Sequence, residues 1–292
     1  MKSPMTWIAL SLLPFGMVAC GITVNFPPTE VKTGPTVRQD IRVPPLSDAG
    51  AVANVSLSFG GGELRLEPGA EVALIEGAAT FNVPDFEPEV TVEGSQVRIE
   101  QGNLELHGIP TLNDEKLVND WSLEFGSAPL ELHITAGAYQ GEFEFGGLAL
   151  HRLTIADGAA DVQLSFLAPN RAEMEEFRYT TGASRVRLSG LGNANFESLS
   201  FRAGAGDYTL DFTGDLRREA SVSIETGLSR VALLVPESVT ARLTVQGGLS
   251  EVELEGSWIQ EGTDYLQPGL PGTVALTFVI KMGVGSLRLG HP

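Results

Sequence analysis

The chain has one cysteine, Cys20, in 292 residues, which excludes a disulfide framework and a Cys-x-x-Cys metal site. Lysine is nearly as scarce, at Lys2, Lys32, Lys116 and Lys281. None of them closes a G-x-x-x-x-G-K-[S/T] loop, so a phosphate-binding P-loop is excluded. Basic residues number 19 against 37 acidic ones, for a net charge of −18. That balance argues against nucleic acid, which calls for a basic stripe, and against an anionic membrane surface read by Lys/Arg clusters. The histidines His107, His133, His151 and His291 show no helical zinc spacing, and no G-x-S-x-G nucleophile elbow occurs. Each histidine reads as a surface residue, and neither a metal nor a cofactor is expected. What is abundant points elsewhere. Apolar residues reach 42%, ample for a core, and the 34 glycines are about 12% of the chain against a usual level of roughly 7%.

Residues 1–19 read as an export signal. Lys2 supplies the positive start and Trp7 to Phe15 (WIALSLLPF) an apolar segment too short to span a bilayer as a helix. Met17-Val18-Ala19-Cys20 then resembles the lipobox of bacterial lipoproteins. That resemblance implies cleavage before Cys20 and acylation of its sulfur and amine, palmitate being the expected sulfur acyl group. The membrane is thus an expected partner, through lipid on Cys20. Multiple acyl chains make a durable anchor, at roughly 0.8 kcal/mol per buried CH₂. The expected location is the bacterial cell envelope, periplasmic or at the cell surface. Without Lys2 the mature chain carries 18 basic and 37 acidic residues, or −19. Residues 20–48 hold Pro27, Pro28, Pro35, Pro44 and Pro45 and read as a semi-rigid tether, with one strand in Val37–Val43.

A repeat accounts for the glycine. With glycine as origin, apolar residues recur at −5, −3, +4 and +6 around Gly137, Gly158, Gly182, Gly204, Gly227, Gly248 and Gly283. The first six origins are 21 to 24 residues apart and the last gap is 35. Of the 28 slots, 27 are apolar, and only Gly141 departs. Alternation with period two on both sides of each glycine predicts two short strands per repeat of about 22 residues. The glycine permits a positive φ or a close backbone approach at the bend. Shorter copies surround Gly60, Gly77 and Gly94. The boundaries that follow are N-terminal β-coils over 49–107, a connector over 108–120, and the main repeat domain over 121–292.

Two strands per repeat fit either antiparallel hairpins or the coils of a parallel β-solenoid. The outward +3 column favours the solenoid, because Asp161, Arg185, Asp207, Arg230 and Glu251 alternate in sign. Parallel stacking places equivalent positions about 4.8 Å apart, where opposite charges gain roughly 0.2–1 kcal/mol per pair. An antiparallel meander would not make them neighbours. The expected fold is therefore all-β, a right-handed parallel β-solenoid (β-helix-like) with shorter N-terminal coils and a C-terminal capping loop.

Several stretches carry a family resemblance: Gly61-Gly62-Glu63-Leu64-Arg65-Leu66, Phe81-Asn82-Val83-Pro84 with Pro88, and Asn119-Asp120-Trp121. Pro129-Leu130-Glu131-Leu132, Gly204-Ala205-Gly206 and Gly283-Val284-Gly285 continue it. In this order, from Val55 to Leu289, they resemble the toast-rack family of bacterial envelope proteins, a domain family of unknown function related to adhesin-like β-solenoids. The resemblance implies a β-solenoid in the envelope and transfers no catalytic residue.

The insertion Ser257–Thr273 contains Trp258, Tyr265, Pro268, Gly269 and Pro271. Its aromatics form a possible contact loop able to stack on sugar rings, or else the loop caps the last coil and covers an exposed sheet edge. Asp207 after Gly204-Ala205-Gly206 partly resembles a calcium-binding turn, but equivalent turns carry Arg185 or Arg230, so ladder pairing is the better reading. The expectation for function is a non-enzymatic, lipid-anchored scaffold, adhesion or envelope-binding module whose partner is an envelope protein or glycan. The alternative is a carbohydrate-binding or polysaccharide-processing β-helix protein.

Overall fold

The computed structural model describes residues 28–30, 33–48, 50–102, 109–111, 117–248 and 251–292. Cys20, the leader, the first part of the tether, His107 and part of the connector lie outside the described residues. The N-terminal part holds β1 (Pro28–Glu30), β2 (Val37–Val43), β3 (Ala53–Pro68), β4 (Ile75–Phe81), β5 (Pro88–Glu93), β6 (Gln96–Gln101), β7 (Ile109–Thr111) and β8 (Asn119–Phe125). Five long strands follow: β9 (Pro129–Glu144), β10 (Ala149–Ser165), β11 (Met174–Ser189), β12 (Phe196–Asp211) and β13 (Ala220–Leu234). The C-terminal part holds β14 (Thr240–Gly247), β15 (Glu251–Leu254), β16 (Ile259–Glu261), β17 (Asp264–Gln267) and β18 (Ala275–Gly290). All but β1 and β7, which pair with each other, belong to one 16-stranded sheet.

The protein is an all-β solenoid, and its unit is one bent strand. In β11 the buried residues are Met174, Phe177, Tyr179 and Thr181 before Gly182, then Ser184, Val186 and Leu188 after it. The parity changes across the exposed Gly182–Ala183 step. Both halves of the strand therefore aim their side chains at one interior, and the strand wraps that interior as a first and a second arm. Rings meet across it, Phe201 to Tyr208 and Phe212 to Phe278, each at 5.1 Å between centroids. The strand and its register continue past the bend, so the repeats around Gly137, Gly158, Gly182, Gly204, Gly227 and Gly283 are each one strand of 15 to 17 residues where two short strands were expected, whereas the Gly248 repeat holds two, β14 and β15. The glycine is itself left out of the pairing, but the register is the same on both sides of it: Thr181 partners Ala203 and Ala183 partners Ala205.

Close approach, not positive φ, is the reason for the column of origin glycines. A Cβ on Gly182 would lie 2.4 Å from the carbonyl oxygen of Gly158, and one on Gly204 2.6 Å from that of Gly182. The series continues from Gly204 to Gly227, from Gly227 to Gly283, and from Gly283 to Gly248. Positive φ falls two residues later, at Gly62, Gly206 and Gly285. Gly141 interrupts the apolar columns because the Tyr139 and Phe143 rings, stacked 6.2 Å apart, fill the space its side chain would need.

Two expectations about strand order are corrected. The coils do not stack in sequence at the C-terminal end: β18 lies between β13 and the pair β14 and β15. The 35-residue gap before Gly283 gives the chain enough length to return inside its predecessor. At the N-terminal end the copies around Gly77 and Gly94 are not parallel coils, whereas the copy around Gly60 is. β4, which holds Gly77, is antiparallel to both β2 and β8. Gly94, at φ 61, begins the two-residue loop of the β5–β6 hairpin, a position that suits glycine. β3 nevertheless pairs along both arms with β9, so one core runs from Ile41 to Leu289.

Candidate functional site

Each strand presents alternate residues to solvent, so the outer faces of the two arms are arrays of side chains set at the strand spacing. On the second arm Asp161, Arg185, Asp207 and Arg230 are consecutive partners along β10, β11, β12 and β13. Arg185 donates to Asp161 at 3.2 Å and Arg230 to Asp207 at 3.3 Å. These side chains are at least half exposed, so each pair contributes about 0.2–1 kcal/mol and mainly orders the face. Glu251 is not beside Arg230. Ser286 of β18 stands between them, a consequence of the changed strand order.

Two open concavities lie at the N-terminal end of the same face. One, of about 180 Å³, is lined by Ala78, Thr80, Trp121 and Ser122 with Arg38, Arg65 and Asp120 at its sides. The other, of about 250 Å³, lies against Arg65, Glu67, Glu142 and Glu144. Arg65 donates to Glu142 at 2.6 Å, which raises the guanidinium pKa.

The contact-loop reading of Trp258 and Tyr265 is corrected. Both rings are 6% exposed and belong to the core. β16 and β17 form a hairpin that lays β17 antiparallel on β14, with Tyr265 opposite Leu243. Gln267 donates to the carbonyls of Pro236 and Val239, both at 2.8 Å. Arg242 and Thr244 hold Asp264, whose carboxyl is pulled below the usual range first by the Arg242 hydrogen bond. The insertion thus covers the end of the first arm, and its aromatics face inward because the last coil would otherwise expose apolar side chains.

One polar group inside the bend escaped the sequence reading. Asp157, immediately before Gly158, accepts hydrogen bonds on Oδ2 from the Tyr179 hydroxyl at 2.8 Å and the Tyr139 hydroxyl at 3.2 Å. Its Oδ1 is buried without a hydrogen-bond partner among the described residues. Burial raises the Asp157 pKa and is the largest influence on it; burial also raises both tyrosines. The Tyr208 hydroxyl nearby is pushed up to about 12, again mainly by burial. Position −1 has the same parity as −3 and −5, so the repeat itself marks Asp157 as facing inward.

A stability difference should follow. Because the folded pKa is raised, the stability linked to this carboxyl is complete below its unfolded value and is lost as pH rises through the folded one. Asp157→Asn is expected to gain stability relative to the parent at pH 7, with the gain shrinking at pH 3. Urea midpoints at the two pH values check this, and an equal difference at both would contradict it.

The return loops hold a second polar device. Asn170, fully buried, exchanges hydrogen bonds with both backbone groups of Leu150 at 2.9 Å and also donates to Ala172 and Ala194. It ties three successive turns together, and nothing in the apolar columns signals it.

A family model described as the N-terminal domain of toast_rack, DUF2154, matches residues 32–189, more than half of the chain. Three solved structures are similar in outline. A provisionally assigned cell adhesion protein from Clostridium sporogenes ATCC 15579 is 18% identical, with a TM-score of 0.49, covering 88% of this chain and 100% of that one. A provisionally assigned lipid binding protein from Parabacteroides distasonis ATCC 8503 is 8% identical, with a TM-score of 0.36 and coverage of 90% and 97%. A provisionally assigned adhesin from Bacteroides fragilis NCTC 9343 is 10% identical, with a TM-score of 0.34 and coverage of 89% and 99%. No curated protein matches.

Proposed function

The chain belongs to the toast-rack family, and from that premise we propose that it is a non-catalytic, lipid-anchored scaffold of the bacterial cell envelope with an adhesion role. The observation that supports this most is the unbroken sheet. Along the stack β3, β9, β10, β11, β12, β13 and β18 neighbouring strands pair on both arms, and the interior between the arms is filled by apolar side chains. Such a body holds its outer faces rigid. Those faces are lined by ordered rows such as Asp161–Arg185–Asp207–Arg230, which suit contact with a large surface. Cys20 would carry the lipid and residues 20–36 would hold the body off the bilayer.

Two measurements test the proposal. Cells fed labelled palmitate should place label on the full chain in the membrane fraction, and Cys20→Ala should lose both label and membrane partition. The full chain mixed with isolated envelope polysaccharide should release no soluble sugar. Turnover with product release would contradict the non-catalytic reading, and unchanged membrane partition of Cys20→Ala would contradict the anchor.

A further inference from the structure

The C-terminal end of the stack is finished on one arm only. β14 and β15 are the two arms of the Gly248 repeat, and both pair with β18. On the first arm β17 and β16 are added beyond β14, and Ala241 and Leu243 are buried there. On the second arm β15 pairs with β18 alone among the described residues. The apolar columns register the difference. Leu254 occupies the slot held by Leu164, Leu188, Leu210, Leu233 and Leu289, all of them buried, yet it is 39% exposed. Val252, two residues earlier, is half-buried where Val162, Val186 and Val231 are closed off.

The same strand and its end carry three exposed acids in alternation, Glu251, Glu253 and Glu255. Arg288 is engaged by Glu255, at 2.8 Å to each carboxylate oxygen. Glu251 and Glu253 hold no ion pair among the described residues. Elsewhere on this face an acid is met by an arginine of the neighbouring strand: Asp161 by Arg185, Asp207 by Arg230, Glu142 by Arg65. An edge closed to pairing is commonly given an inward-pointing charge, a proline or a bulge. β15 has none of these, since its inward residues are Val252 and Leu254 and its register on β18 is regular.

We propose that the free edge of β15 receives an extended segment of a partner protein in which Lys or Arg alternates with apolar residues. The backbone of that segment continues the ladder, its apolar residues cover Val252 and Leu254, and two of its cations face Glu251 and Glu253. The added strand stands across the interior from β17 and completes the coil that the hairpin begins. Main-chain hydrogen bonds supply affinity, and the two acids select the sequence. The edge lies apart from the outer faces, so its occupancy requires neither the lipid anchor nor adhesion by those faces.

Fluorescence anisotropy of the labelled heptapeptide Lys-Val-Lys-Leu-Lys-Val-Lys, titrated with the full chain in neutral detergent, tests this. Binding is expected to be saturable and about tenfold tighter than that of Lys-Lys-Lys-Lys-Val-Leu-Val, which has the same charge without the alternation. Glu251→Lys combined with Glu253→Lys should weaken it about tenfold, and the alternating peptide with Glu in place of Lys should bind that variant better than the parent. Hydrogen exchange in the parent should slow at 251–254 when the alternating peptide is added, with no change at 259–261. Equal binding of the two basic peptides would reduce the contact to bulk charge and overturn the proposal, as would protection of β16 instead of β15. Absence of peptide binding would overturn it as well, and self-association that the double variant abolishes would then give β15 to a second copy. Circular dichroism of the double variant matching the parent keeps a lost fold from passing as lost binding.

Discussion

Gly182→Ala is expected to destabilise the chain by about 2–3 kcal/mol, and Gly158→Ala by less than about 1 kcal/mol. The two glycines are adjacent in the same column, yet their surroundings differ. The added methyl at 182 would stand 2.4 Å from the carbonyl oxygen of Gly158, a backbone atom that can move only if the paired strand moves. At 158 the corresponding oxygen, on Gly137, is 3.1 Å away, close enough to need a shift of a few tenths of an ångström. Helical or strand propensity would give both substitutions the same sign and size. Urea unfolding followed by far-ultraviolet circular dichroism should rank the two variants in this order. Equal midpoints would mean that the column is not packed as closely as the bend requires.

Trp258→Ala is expected to cost about 3–5 kcal/mol, the usual range for emptying a buried tryptophan site. Its effect should be local. In a solenoid each coil contacts only its neighbours, so loss of the cap first loosens the coil beneath it. Hydrogen exchange should accelerate in β14, β17 and β18, while β3, β9 and β10 keep their protection. An unchanged midpoint and unchanged exchange in β18 would show that the insertion covers nothing essential.

The sequence made the interior columns legible because burial alternates with a period of two, and the glycine origins because no side chain fits at the bend. The register from Asp161 to Arg230 was legible from charge. Its end at Glu251 was not. A column records which face a residue takes, and β13 would look the same with β14 or β18 beside it. Antiparallel pairing at the N-terminal end was hidden for the same reason, since Gly77 sits between apolar residues in either direction. Trp258 and Tyr265 could not be placed from composition, because a ring that stacks on a ligand and a ring that closes a core are the same residue. Asp157 was legible in principle from its parity, whereas Asn170 lies in a return loop where no period applies.

The central claim is the parallel stack, and one distance tests it most directly. Glu63 and Arg230 are 167 residues apart in sequence but lie five strand steps apart on one row of the second arm. Spin labels at Glu63→Cys and Arg230→Cys, with Cys20→Ser, are expected to give a single distance near 24 Å by pulsed electron paramagnetic resonance. A distribution centred beyond about 40 Å, or several separate distances, would contradict the stack.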